Sequence, residues 1–81
     1  MPGDKNEINF DIELDKLAKR IKRLRVAKGY TSYEVFAFEN SINRVQYGRY
    51  EKGNDLRYTT LLKVIKALDM TPAEFFSEGF D

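Results

Sequence analysis

Arg44, Arg49 and Lys52, with Val45 and Gly48 between them, are the residues whose types and spacing point most directly to chemistry. Set at about 100° steps on a helix, these five fall within an arc of roughly 140°. Tyr47 and Tyr50 fall on the opposite side, with Gln46 and Glu51 at the borders. The outer face carries fixed positive charge and little bulk at its middle, and such a face suits a polyanion. The inner face presents aromatic rings to a core. Asn43 is a good N-cap ahead of this segment and Gly53 a good terminator behind it, so residues 43–53 read as one helix of about two to three turns.

Other chemistries find little to work with. The chain has no cysteine and no histidine. Disulfides, thiolate metal sites, the commonest general base and the commonest metal ligand are therefore absent together. No paired acids converge in the helical pattern, so neither an enzyme, a metal site nor a cofactor is expected. No apolar run approaches the roughly 18 residues that span a bilayer, and Met1-Pro2-Gly3-Asp4 is no signal peptide. A reducing cytoplasm, away from membranes, is the expected setting. The net charge of +1 conceals a segregation along the chain. Residues 1–15 hold five acids against Lys5 alone, and residues 69–81 hold four acids and no base. Residues 16–68 carry the other 13 bases against four acids, a net of +9, and a basic body of this kind suits a nucleic-acid or other anionic partner.

The elements that must position the basic face follow from periodicity and punctuation. Residues 1–9 show no helical or strand period and are expected to form a loose arm, with a single domain over 10–81. Phe10, Leu14, Leu17, Ala18, Ile21 and Leu24 recur at three- and four-residue intervals, which predicts a first helix to about Lys28, stopped by Gly29. Arg25 falls among Leu14, Ala18 and Ile21 on the inner stripe. A buried guanidinium is costly without an acid, and Glu51, at the edge of the inner face of the third helix, is the candidate partner. Lys16, Lys19, Arg20, Lys22, Arg23 and Lys28 mostly face outward by the same phase.

Thr31-Ser32-Tyr33-Glu34 fits a capping box with Tyr30 and Val35 as its staple, predicting a second helix from Ser32 to Glu39 that buries Val35, Phe36 and either Phe38 or Ala37. After the turn Asn40-Ser41-Ile42 the grammar repeats, with Asn43 as cap, Gln46 three residues on, and Ile42 and Tyr47 as the staple pair. Two short capped helices joined by about three residues make a helix-turn-helix unit. Leu56-Arg57-Tyr58 leads into a fourth helix with Leu61, Leu62, Ile65 and Leu68 on its apolar face and Val64 beside them. Thr71-Pro72-Ala73-Glu74, flanked by Met70 and Phe75, starts a brief fifth helix from Pro72 to about Ser77. Five helices and no strand signal predict a compact all-α domain.

This order of elements resembles the phage-repressor-like, or XRE-type, helix-turn-helix family of bacterial transcriptional regulators, whose fold is that of the lambda-repressor DNA-binding domain. The resemblance covers about residues 14–77. It rests on Ile21-Lys22-Arg23-Leu24-Arg25 with Lys28-Gly29, on Phe36-Ala37, on Arg49-Tyr50-Glu51-Lys52-Gly53, on residues 60–68, and on Glu74-Phe75-Phe76. Two positions depart from the family. Ser32 or Tyr33 stands where a phosphate-binding glutamine is usual, because the segment from Gly29 to Ala37 is one residue longer. Ser41 stands where the turn usually has glycine.

The resemblance implies that the third helix enters a DNA major groove by its N-terminal end. Arg44 and Arg49 then become base readers, since a guanidinium bonds bidentately to guanine O6 and N7. Gln46 is placed to read adenine or bond a phosphate, and Val45 to meet a thymine methyl. Asn43, Lys52 and Arg57, with Ser32 or Tyr33, are the expected phosphate contacts. Gly48 either clears room for DNA or serves close packing within the chain. In the family an arginine late in the first helix pairs with the glutamate of the third, which coincides with the Arg25–Glu51 pairing reached from phase. Phe75, Phe76 and Phe80 either close the core or form a dimer interface.

The expected function is sequence-specific double-stranded DNA binding by a bacterial, cytoplasmic, nucleoid-associated transcriptional regulator. It would act as a homodimer on a palindromic operator, without a small-molecule effector domain. The alternative keeps the fold but makes the chain an interaction module, such as an antitoxin-like partner.

Overall fold

The computed structural model describes residues 7–81, and within them the chain forms five helices and no strand. The expected loose arm lies outside the described residues over 1–6. At its end Asn9 is the N-cap of α1 (Phe10–Ala27), its side chain accepting from the Ile12 N–H at 3.1 Å. Along the apolar stripe of α1 exposure falls from Phe10 to Ile21. Phe10 is 74% exposed, Leu14 and Leu17 are half-buried, and Ala18 and Ile21 are buried. The first turn therefore overhangs the body, and Phe10 continues the apolar period without reaching the core. Gly29, at φ +105°, ends the helix, and the Tyr30 N–H reaches back to the Arg25 carbonyl at 3.1 Å.

The second helix, α2 (Tyr33–Glu39), starts one residue later than Thr31 as cap would have it. Ser32 is the N-cap and accepts from the Val35 N–H at 3.3 Å. Its N3 residue is then valine, which has no side-chain acceptor to return the bond, so the expected capping box with Glu34 does not form. The shift also replaces the expected staple: Tyr30 packs edge-on against Phe36, ring centroids 5.2 Å apart, in place of Val35. Only one side of so short a helix faces inward. Phe36 and Ala37 take it, and Val35 and Phe38, expected as core candidates, are exposed.

The turn from α2 is closed by Ser41 at φ +58° and by the Ile42 N–H donating to the Ala37 carbonyl at 2.8 Å. A side chain in this left-handed conformation costs about 1–2 kcal/mol relative to the right-handed one, which glycine would escape. Next comes α3 (Arg44–Tyr50), shorter than the 43–53 reading because Glu51 to Gly53 form a turn. Asn43 caps it through the Gln46 N–H at 3.0 Å. The fourth helix, α4 (Tyr58–Ala67), buries Leu61, Val64 and Ile65, with Leu68 beyond it, while Leu62 is only half-buried. Finally, α5 (Pro72–Phe75) forms the expected reciprocal box, the Thr71 hydroxyl accepting from Glu74 N–H at 3.1 Å and the Glu74 carboxylate from Thr71 N–H at 2.8 Å.

The core is continuous through Ile21, Phe36, Ala37, Tyr47, Leu61, Val64, Ile65, Leu68 and Phe75. Tyr47 stands at its centre, 5.3 Å from the Phe36 ring and 6.3 Å from that of Tyr33, centroid to centroid. One cation expected at the surface is instead an anchor. Arg20 is 3% exposed; its Nε donates to the Phe75 carbonyl at 2.8 Å and its Nη2 to the Glu74 carbonyl at 3.1 Å. Both carbonyls lie at the C-terminal end of α5, where that of Glu74 also accepts from the Ser77 N–H at 3.2 Å, so Arg20 adds bonds to that end and ties it to α1.

Candidate nucleic-acid interface

The short helix α3 is fixed at both ends and along its inner face, which leaves its outer face free. At the N-terminus the Asn43 cap holds its first turn. At the C-terminus Glu51 receives a two-pronged bond from Arg25, Nε to Oε2 at 2.8 Å and Nη2 to Oε1 at 3.0 Å. The third guanidinium nitrogen of Arg25 donates to the Tyr30 carbonyl at 2.7 Å. Arg25 and Glu51 are both buried, with 4% and 8% of their side chains exposed. Bonding to the Glu51 carboxylate holds the guanidinium charged, raising its pKa further above its already high ordinary value against the opposing effect of burial.

Tyr47 is wholly buried beside this pair. Burial, and after it the neighbouring Glu51 carboxylate, pushes its phenol well above the ordinary tyrosine value. Its hydroxyl makes no hydrogen bond of good geometry. Two outcomes are expected. Tyr47→Phe removes an unsatisfied buried group, so it should leave the fold intact at neutral pH and raise stability by up to about 1 kcal/mol in a denaturant melt. In the wild type the unfolded tyrosine gives up its proton near pH 10 while the folded one keeps it. Stability should therefore be full below that pH and decline above it, and the phenylalanine variant should show a shallower alkaline decline.

On the outer face Arg44, Val45, Gln46 and Arg49 are all exposed, Val45 by 65%. Lys52 in the following turn and Arg57 ahead of α4 are exposed too. Gly48 is the exception. It was placed with the outer stripe, but it is buried, and a Cβ there would lie 2.8 Å from Cε1 of Tyr33. The glycine lets the Tyr33 ring lie across α3 and stack on Tyr47, so packing between the two helices accounts for it. Tyr33 and Ser32 are half-buried at the start of α2. The Ser32 oxygen and the Asn43 side-chain oxygen each accept a capping bond, which leaves the Ser32 O–H and the Asn43 NH2 free to donate outward.

Electrostatically the two halves of the chain differ. Every ion pair among the described residues takes its cation from α1 or its cap: Lys16 with Glu13, Lys19 with Asp15, Arg20 with Glu78, Arg25 with Glu51, and Lys28 with Asp69. Arg44, Arg49, Lys52, Arg57, Lys63 and Lys66 have no acidic partner among the described residues. The acids of that stretch are engaged elsewhere, Glu51 by Arg25 and Asp55 through the Leu56 N–H at 2.8 Å. The result is an exposed, unneutralised basic surface centred on α3 and running onto α4.

Two further placements bear on function. Among the described residues no group of acids is disposed to hold a metal ion, and no helix is long and apolar enough to cross a membrane. Of the three C-terminal phenylalanines, Phe75 is fully buried within its own chain, which removes it from any interface. Phe76 and Phe80 pack on it and on each other, and Phe76 keeps 41% of its surface exposed.

Arg20, grouped with the mostly outward cations of the first helix, is instead a buried structural anchor. The signal was present, since it lies three residues after Leu17 and four before Leu24, at the margin of the apolar stripe.

Searches of curated proteins and of solved structures found no match. The family model described as Helix-turn-helix matches residues 21–75, from the inward half of α1 through α5. On this match and on the five-helix architecture, the chain belongs to the phage-repressor-like, XRE-type helix-turn-helix family of DNA-binding regulators.

Proposed function

We propose that the chain is a sequence-specific double-stranded DNA-binding transcriptional regulator of the bacterial cytoplasm, acting as a dimer on a palindromic operator. The observation that carries this reading is the set of exposed, unpaired cations on and around α3, Arg44, Arg49, Lys52 and Arg57, held on a helix whose other side is locked into the core. Arg44 and Arg49 are the base readers, with Gln46 and Val45 completing the reading surface. Ser32, Tyr33, Asn43, Lys52 and Arg57 surround it as phosphate contacts. One short helix reads only a few base pairs, so useful specificity calls for two half-sites about one helical turn apart, and hence for two copies. The exposed edge of Phe76 with Phe80 is the apolar surface nearest the C-terminus on which such a pair could meet. An antitoxin-like role for the same fold would instead dock the aromatic C-terminus on another protein, through the exposed side of Phe76.

Genomic-fragment selection with the purified chain is the test. It should return a small set of fragments sharing an inverted repeat, and affinity for them should fall steeply with added salt, with a log–log slope of several units. Recovery of no preferred fragment, or binding indifferent to salt, would overturn the proposal.

A further inference from the structure

Lys63 and Lys66 belong to the unpaired basic set but lie on α4, away from the reading helix. Burial of Leu61, Val64 and Ile65 fixes the rotation of α4, and the two lysines, one helical turn apart, stand on its exposed side. The nearest acid in sequence, Asp69, is taken by Lys28. A groove that begins at Asn43 and Gln46, at the N-terminal end of α3, continues past Ser41 and Thr60 to Lys63. A second groove shares Ser41 and Lys63 with it and extends past Asn40 to Lys66. The lining side chains are hydroxyls, amides, apolar groups and ammonium groups, with no carboxylate in either groove.

We infer that the two grooves form one phosphate-binding flank, in which Lys63 and Lys66 hold the DNA backbone beyond the bases read by α3. The flank starts at the end of α3 that points into a major groove, so the strand bordering that groove meets it on leaving the reading helix. Lysines suit this position. A flexible ammonium is a point charge that follows a phosphate without demanding one geometry, whereas base readout needs the fixed fork of arginine. The Ser41 and Thr60 hydroxyls can add neutral hydrogen bonds to the same oxygens. The flank lengthens the footprint of each copy without adding to the sequence it reads.

This inference rests on duplex DNA being the ligand of α3, and the test keeps the two apart. Salt titrations would compare the wild-type chain with Lys63→Ala/Lys66→Ala, on a selected genomic fragment and on a random-sequence duplex of the same length. The double variant should bind both more weakly in equal proportion, with the log–log slope shallower by about 2, close to one unit per lost phosphate contact. Its thermal melt should match the wild type, since neither ammonium is bonded within the described residues, and Lys63→Arg/Lys66→Arg should restore the slope. A slope equal to the wild type would overturn the flank while leaving the function of α3 standing. So would an equal flattening by Lys22→Ala/Arg23→Ala, which removes the same charge from α1. A wild-type chain that bound neither duplex would overturn both readings.

Discussion

Arg25→Ala is expected to cost about 3–5 kcal/mol of folding stability, because it leaves the buried Glu51 carboxylate without its counter-charge. For a chain of 81 residues, whose whole stability is of the order of 5–15 kcal/mol, that is a loss of about a fifth or more. The melting midpoint should fall by about 15 °C or more. Glu51→Ala should do similar damage from the other side, stranding a guanidinium that is 4% exposed. The reason lies in desolvation rather than in attraction. Each partner alone faces the penalty of burial, whereas the pair offsets it through two short bonds and a third to the Tyr30 carbonyl. It follows that Arg25→Met combined with Glu51→Leu should recover most of the lost stability, since it removes both charges and refills the space. Denaturant melts of the wild type, Arg25→Met, Glu51→Leu and the Arg25→Met/Glu51→Leu double variant form a double-mutant cycle that measures this coupling. A single variant that melted with the wild type would refute the account, as would a double variant no better than the singles. The pair also reaches function, because Glu51 is the C-cap of α3 and Arg25 ties that end to α1. Loss of the pair should loosen the angle at which α3 is presented.

The Arg25–Glu51 geometry shows what kind of information the sequence carried well. Helical phase puts Arg25 on the inner stripe of one helix and Glu51 at the edge of the inner face of another, and opposite charges so placed have few ways to be satisfied. The five helices were legible for a related reason: Asn43, Thr71, Pro72 and Gly29 are residues whose backbone and capping preferences act within one turn. The sequence is silent where the outcome depends on a neighbour distant along the chain. Thr31 and Ser32 are both good caps, and the contact of Tyr30 with Phe36, invisible in local pattern, is satisfied by Ser32. Gly48 looked like part of an outer stripe because helical phase cannot show Tyr33 arriving from α2 to cover it. Arg20 looked like surface because its partners are main-chain carbonyls more than 50 residues away, and carbonyls leave no mark in a sequence. Phe10 and Phe38 keep the apolar periodicity of their helices, but among the described residues no second element extends far enough to cover them. The basic face of α3 was the easiest part of the site to read, since it depends only on phase within seven residues.

Arg44→Ala and Arg49→Ala, made one at a time, are each expected to weaken operator binding by about 1–3 kcal/mol, which is roughly 5- to 150-fold in affinity. Neither side chain is bonded within the described residues, so the thermal melts should be those of the wild type. Alanine alone does not separate base reading from charge, since losing a phosphate contact would also weaken binding. Lysine does. Arg44→Lys and Arg49→Lys keep the positive charge but lose the planar fork that spans guanine O6 and N7. If the arginines read bases, the lysine variants should retain the wild-type salt slope and affinity for random duplex. Their preference for the operator should nevertheless fall nearly as far as in the alanine variants, with tolerance appearing at one base position of each half-site. Position on the helix sharpens the expectation. Arg44 is the first residue of α3, at the end that enters the groove, while Arg49 lies five residues further on, in the last turn. Arg44 should therefore govern a base nearer the groove floor, and the two lysine variants should relax different positions of the half-site. Alanine variants that bound operator and random duplex in the wild-type ratio would remove both arginines from base readout, and lysine variants with full operator preference would reassign them to the backbone.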